Sequence, residues 1–274
     1  MECKVRDIPV YYEDVGAGRT LLMLHGWQAD HRHMFHDMEP LFVQRAGWRR
    51  LYPDLPGMGR TPGADWITSQ DQMLEVALEF LDTIAPGEHV ALAGVSLGGY
   101  LARGIVQQRM AQVDGVMLCV PVVGAALAKR DPSQHQVLVH DPDFVNALEA
   151  DEQWLLQVIV VQSPEVLTAI RHAFKPALDA ADLDFLERVE ANYRFSFDVD
   201  NLPEPCAAPT LIVAGRQDAN CGYRGAWDLL DNFPRGTFAV LDRAGHGLPL
   251  EQKTLYRALV SEWLDRVEEY SAGN

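Results

Sequence analysis

The chain has 274 residues, 48% of them hydrophobic and 23% charged, enough for one large domain or one domain carrying a substantial insertion. Acidic residues exceed basic ones by 39 to 23, a formal charge of −16. A field of that sign repels nucleic acid and anionic membranes and argues against partners of either kind. The longest apolar runs, such as Leu21–Leu24 and Val116–Val123, are too short to cross a bilayer. Met1 to Val15 mixes charged and apolar residues instead of forming an apolar leader, so the cytoplasm is the expected compartment. Cys3, Cys119, Cys206 and Cys221 form no CxxC pair, and Cys119, inside an apolar run, reads as a buried thiol.

In chain order, Ile8–Tyr12 reads as an early strand and Thr20–Leu24 as a buried one, with Gly16-Ala17-Gly18 a hairpin or loop between them. A helix-competent stretch runs from about His31 to Arg45. The short strand Arg49–Tyr52 then leads into the loop Asp54-Leu55-Pro56-Gly57-Met58-Gly59-Arg60-Thr61. Ser69 and Gln72 have the spacing of a capping box. Behind them Met73, Ala77, Phe80, Leu81 and Ile84 fall on one helical face, and Pro86-Gly87 stops the helix. His89–Val95 predicts a buried strand, Leu97–Met110 a helix and Val113–Val120 another strand. Such alternation indicates a mostly parallel sheet covered on both faces.

From Pro121 to Pro209 the alternation stops. Helical patterns occur near Phe144–Glu149, Glu152–Val161, Glu165–Phe174 and Asp182–Tyr193, broken at Asp131-Pro132, Asp141-Pro142 and Ser163-Pro164, and no strand is predicted. Thr210–Ala214, Tyr223–Asn232, Thr237–Leu241 and a helix from about Leu250 to Glu269 resume the earlier pattern. The middle block is therefore expected to be a helical insertion over the sheet edge.

The strongest chemical signal is Gly94-Val95-Ser96-Leu97-Gly98-Gly99, between a strand and a helix. G-x-S-x-G at such a turn holds the serine on a strained corner with its hydroxyl exposed, and the following helix aims its first N–H groups at the same point. There is no G-x-G-x-x-G and no P-loop lysine, so a nucleotide-binding reading fails. A serine needs a base oriented by a third group. Asp218 and His246 each lie in a loop just past the C-terminal end of a strand, the edge where open α/β sheets bind ligands. The order Ser96, Asp218, His246 is the serine–acid–histidine order of α/β-hydrolases. Asp242 is a competing acid that directly ends its strand.

With His25-Gly26-Trp27 after an early strand, the Asp54–Thr61 loop, the Ser96 turn, the Gly215–Asp218 turn and Gly245-His246, the chain resembles the α/β-hydrolase fold superfamily over nearly its whole length. The resemblance implies a mostly parallel central sheet flanked by helices. Residues 1–120 and 210–274 would form the core, and 121–209 an inserted helical cap. It further implies Ser96 as nucleophile, His246 as base and acid, Asp218 as orienting carboxylate, and an oxyanion hole from the Trp27 and Leu97 backbone N–H groups. The expected activity is that of a serine esterase on a small or medium carboxylic ester, with no cofactor and no metal. Serine at the turn sets the chain apart from relatives of this fold that use a carboxylate there. Leu97 departs from the tryptophan usual in proline iminopeptidase-like members. A carbon–carbon bond hydrolase of ring-cleavage products, an acyltransferase or peroxide-using relative, and a ligand receptor with a retained triad stay open. Whether Arg103, Arg171 or Lys175 reaches the site separates the first of these.

His25 is expected to shape the oxyanion loop and to border the substrate, with Trp154 and Tyr193 as further candidate substrate contacts from the insertion. Phe174, Phe195 and Phe197 serve equally well as core. His31, His33 and His36 with Asp37 invite a metal reading, but histidine offsets of two and five do not stack on one helical face, so a solvated helix start is preferred.

Overall fold

The computed structural model describes residues 1–124 and 132–273. Among them the strands β1 (Glu2–Val5), β2 (Ile8–Gly16), β3 (Arg19–Leu24), β4 (Trp48–Pro53), β5 (Val90–Val95), β6 (Val113–Cys119), β9 (Thr210–Gly215) and β10 (Gly236–Leu241) form one sheet in the order β1-β2-β4-β3-β5-β6-β9-β10. Pairing is antiparallel for β1 with β2 and β2 with β4, and parallel from β4 through β10. The Gly16–Gly18 segment is a loop and not a hairpin, because β4 lies between β2 and β3.

Two apolar layers explain the unbroken hydrophobic runs of the central strands. Successive side chains point to opposite faces, so Leu22, Leu24 and Leu92 enter one core while Leu21, Met23, Ala91 and Ala93 enter the other. The first core is closed by α2 (Gln70–Ile84) and α3 (Leu97–Arg109), the second by α1 (His31–Phe42) and α10 (Lys253–Gly273). Ser69 is the N-cap of α2, but the reciprocal box is not made: the Gln72 side-chain oxygen accepts from the Thr68 N–H at 2.7 Å instead. The closing helix begins later than expected, after a short turn α9 (Leu248–Glu251), and Tyr223–Asn232 divides into α8 (Arg224–Asp228) and a 3-10 turn. No helix among the described residues is long and apolar enough to cross a membrane.

Between β6 and β9 three of the four expected helices are present, as α4 (Pro142–Ala147), α5 (Pro164–Ala173) and α7 (Leu183–Glu190), and α6 (Lys175–Ala180) is an additional one that was not expected. Asp131 of the Asp131-Pro132 break lies outside the described residues. The expectation of no strand here is overturned: β7 (Val139–His140) and β8 (Val161–Gln162) pair in parallel. The Glu152–Val161 helix is instead a 3-10 turn over Ala150–Gln157. Val158-Ile159-Val160-Val161 is a run of β-branched residues that favours extended backbone, which ends the helical stretch early. Arg103, fully buried on α3, ties both ends of this block to the sheet layer. Its guanidinium donates to the Val122 and Val199 carbonyls and the Asp200 carboxylate, and that carboxylate also accepts from the Gly124 N–H at 2.9 Å.

Candidate active site

Ser96 sits between β5 and α3 with φ 54° and ψ −112°, a conformation that L-residues rarely adopt. Close packing enforces it: a Cβ on Gly98 would stand 2.0 Å from the Leu24 carbonyl oxygen, so the start of α3 can approach the neighbouring strand only through glycine. The Ser96 N–H donates to the Cys119 carbonyl at 3.0 Å, and its own carbonyl accepts from Tyr100 at 3.2 Å and Val122 at 3.3 Å.

Asp218 and His246 come from the loops after β9 and β10, and these loops touch. A Cβ on Gly215 would lie 2.3 Å from the Gly245 carbonyl oxygen, and the Gln217 N–H donates to the Ala244 carbonyl at 2.9 Å. His246 Nδ1 is 2.9 Å from Asp218 Oδ2, and its Nε2 is 3.1 Å from Ser96 Oγ. The other Asp218 oxygen accepts backbone N–H bonds from Asn220 at 2.8 Å and Cys221 at 2.9 Å. Burial opposes ionisation of Asp218, yet the His246 charge and hydrogen bond and the two backbone donors outweigh it and hold the carboxyl below its ordinary range. Asp242 is exposed and accepts from the Gln217 side chain at 3.5 Å, and the carboxylate on the His246 imidazole is that of Asp218.

Gly26 packs against the serine: a Cβ there would lie 3.5 Å from Ser96 Cβ. Among the described residues no hydrogen bond from the Trp27 or Leu97 backbone N–H to a protein acceptor is found. The expectation that His25 borders the substrate is corrected. It is fully buried beneath the loop, outside the cavity lining, with Nδ1 2.8 Å from the Gly26 carbonyl and Nε2 2.9 Å from the Leu55 N–H. Because Leu55 donates to Nε2, the ring proton sits on Nδ1 and donates to Gly26, and burial lowers the imidazole pKa so that it stays neutral. His25 thus braces the Gly26–Trp27 loop against Leu55 and does not line the cavity.

Ser96 and His246 open onto a cavity of about 990 Å³ whose lining is mostly apolar. Trp154 and Tyr193 both line it; Trp154 is 40% exposed at its mouth, and Tyr193 meets Trp27 edge-on at 5.6 Å. Phe174 also lines it. Phe195 and Phe197 are instead packing residues, stacked in series on Tyr100 at 4.1 and 5.0 Å. Arg171 pairs with Glu152 and Lys175 with Asp151, and neither they nor Arg103 lines the cavity.

Sequence reasoning missed His33 and Asp37. The expectation of a solvated helix start fails for both: each is buried, with His33 Nε2 3.5 Å from Asp37 Oδ2 and His33 lining the cavity. The signal was the i, i+4 spacing of His33 and Asp37 on one face of α1, hidden by the different offsets among the three histidines. Asp30, His31 and Asp54 converge closely enough to hold a cation. Their oxygens are already committed, Asp54 to His31 at 2.7 and 2.8 Å and to the Arg60 N–H at 2.9 Å, and Asp30 to Arg32. This cluster thus braces the loop ahead of α1.

Residues 21–258 match the family model described as the alpha/beta hydrolase family. The chain is similar to an AB hydrolase superfamily protein, YisY, of Bacillus subtilis (strain 168), at 25% identity over 93% of this chain and 95% of that protein. It is also similar, at 25% identity over 94% and 92% of the two chains, to 2-hydroxy-6-oxononadienedioate/2-hydroxy-6-oxononatrienedioate hydrolase 2 of Pseudomonas putida. Among solved structures, an alpha/beta superfamily hydrolase from Oenococcus oeni PSU-1 matches with a TM-score of 0.89 at 28% identity, covering 98% of this chain and 99% of that one. The parallel sheet, the strained serine turn and the two loops that meet at its C-terminal edge have the same meaning as these matches: the chain belongs to the alpha/beta hydrolase family.

Proposed function

We propose that this protein is a serine hydrolase of small to medium carboxylic esters, acting through an acyl-enzyme. The observation that carries the reading is the hydrogen-bonded series Ser96 Oγ, His246 and Asp218, at 3.1 and 2.9 Å, with the Trp27 and Leu97 backbone N–H groups taken as the oxyanion hole. His246 takes the Ser96 proton as Oγ attacks the ester carbonyl, and the two N–H groups hold the oxyanion. The imidazolium then gives its proton to the departing alcohol. Water, deprotonated by the same imidazole, attacks the acyl-enzyme and releases the acid. Asp218 fixes the tautomer with the proton on Nδ1 and stabilises the imidazolium. Residues 121–209 act as the cap, and their Val158, Ile159, Ile170 and Phe174 give the substrate an apolar enclosure.

A fluorophosphonate should label the wild type at Ser96, and p-nitrophenyl esters should give a burst. Ser96→Ala should abolish the labelling. Wild type without labelling or burst overturns the reading, and labelling that survives Ser96→Ala overturns the nucleophile.

A second reading, cleavage of a carbon–carbon bond in an acidic ring-cleavage product, is favoured by one feature. Arg194 lines the cavity, and among the described residues no carboxylate pairs with it. The name of the Pseudomonas putida relative supplies the substrate class to try. Preference for a 2-hydroxy-6-oxo-dienoate over neutral esters, lost in Arg194→Ala, would select this reading.

A further inference from the structure

Glu251 lies five residues after His246, at the end of α9, and is buried. Its carboxylate accepts three backbone N–H bonds from two distant parts of the chain. Oε2 takes Gly245 at 2.6 Å, while Oε1 takes Val160 at 2.5 Å and Val161 at 3.3 Å. Gly245 directly precedes His246. Val160 follows Val158 and Ile159, which line the cavity. The Val160 carbonyl in turn accepts from Leu138 at 3.0 Å and Val139 at 3.1 Å, so the segment is held from both sides. No cation among the described residues pairs with Glu251. Burial pushes its carboxyl pKa up, and the backbone donors work against that shift.

We propose that Glu251 is a positioning residue that joins the His246 loop to the Val158–Val161 cavity wall, so that the imidazole and the surface the substrate rests on keep one fixed separation. This rests on His246 acting as the base. Two oxygens are needed because the anchors lie on either side of the carboxyl group. A glutamine keeps the volume but offers one acceptor oxygen, and its amide N–H₂ would face one set of donors. An unsatisfied buried amide at Gly245 or Val160 then loosens one anchor while the other holds.

The test is Glu251→Gln, with ester turnover normalised to the sites that a fluorophosphonate titrates. The expected result is a fall of about tenfold or more in kcat per titrated site, the scale of a small misplacement of a catalytic group. The ratio of acetyl to octanoyl ester rates should change as well, since the wall moves relative to the base. A purely structural role would lower the titratable fraction and the Tm but leave kcat per site and the ester ratio at wild-type values; that result overturns the proposal. If the variant does not fold, hydrogen exchange on the wild type decides. The Gly245, Val160 and Val161 amides should open together with one denaturant dependence, and independent opening of Gly245 overturns the coupling. Failure of wild-type labelling would strike the hydrolase reading, while the exchange experiment would still test the clamp.

Discussion

Two histidine–aspartate pairs border the same cavity and end in opposite electrostatic states. In His246–Asp218 the partners are 2.9 Å apart and the carboxyl is held below its ordinary range. In His33–Asp37 the nearest atoms are 3.5 Å apart; burial raises the Asp37 carboxyl to about 7, against a weaker pull from Arg257 and Lys253. Burial, helped by the neighbouring His25 and His246, lowers His33 to about 4. Both aspartates are buried, so desolvation alone does not separate them. Backbone context does. Asp218 is in a turn whose Asn220 and Cys221 N–H groups donate to it, whereas Asp37 lies inside α1, where helical N–H groups are already spent on carbonyls one turn back. A buried carboxyl is held below its ordinary pKa where the chain has spare donors, and is raised in mid-helix where it has none.

The contrast can be broken most directly by Asp218→Asn, expected to lower kcat by about 10⁴-fold through the wrong imidazole tautomer. Asp37→Asn should leave ester turnover nearly unchanged, and equal losses in the two variants would erase the distinction. Arg103 extends the same rule to a buried cation, since it finds the Val122 and Val199 carbonyls outside regular structure. Arg103→Met should cost about 3–5 kcal/mol in urea unfolding, the scale for breaking a buried ion pair. A third measurement follows the pH. The native state holds the Asp37 proton up to about 7 while the unfolded chain releases it near 3.8, so this group erodes stability as pH rises between those values and imposes its full cost above them. Asp37→Asn should therefore be more stable than wild type at pH 8, by about 2–4 kcal/mol, and show little difference at pH 4. A gain that does not depend on pH would mean that Asp37 is not the neutralised group. The smallest effect is expected from Trp154→Ala at the cavity mouth. It should raise KM for longer esters by about threefold to tenfold with kcat preserved, because it removes binding made equally in ground and transition states.

Much of the site was legible locally. Ser96 was identifiable because a strained turn at close quarters demands glycines at fixed offsets, and Gly94 and Gly98 flank it in sequence. Asp218 and His246 were each visible as a polar residue following an apolar strand, with the order of the three giving their grouping. His25 was half legible: its place after a strand marked the oxyanion loop, but only the packed loop shows the ring turned inward to Gly26 and Leu55. The insertion was misread at Val158–Val161, where a helical pattern ran into β-branched residues that leave the helix and lead into the short strand Val161–Gln162 against β7.

What the sequence determined by itself was whatever depends on neighbours along the chain: strand and helix periods, the backbone corner at Ser96, and the alternation that makes a parallel sheet. What only the tertiary structure decided was whatever depends on long-range closure. The 3.1 Å approach of His246 to Ser96 spans 150 positions, and Glu251 reaches Val160 across 91. Burial that raises the Asp37 carboxyl to about 7 and a hydrogen-bonded turn that holds the Asp218 carboxyl below its ordinary range are likewise set by folded surroundings, because desolvation and donor supply are properties of a place in the fold and not of a residue type.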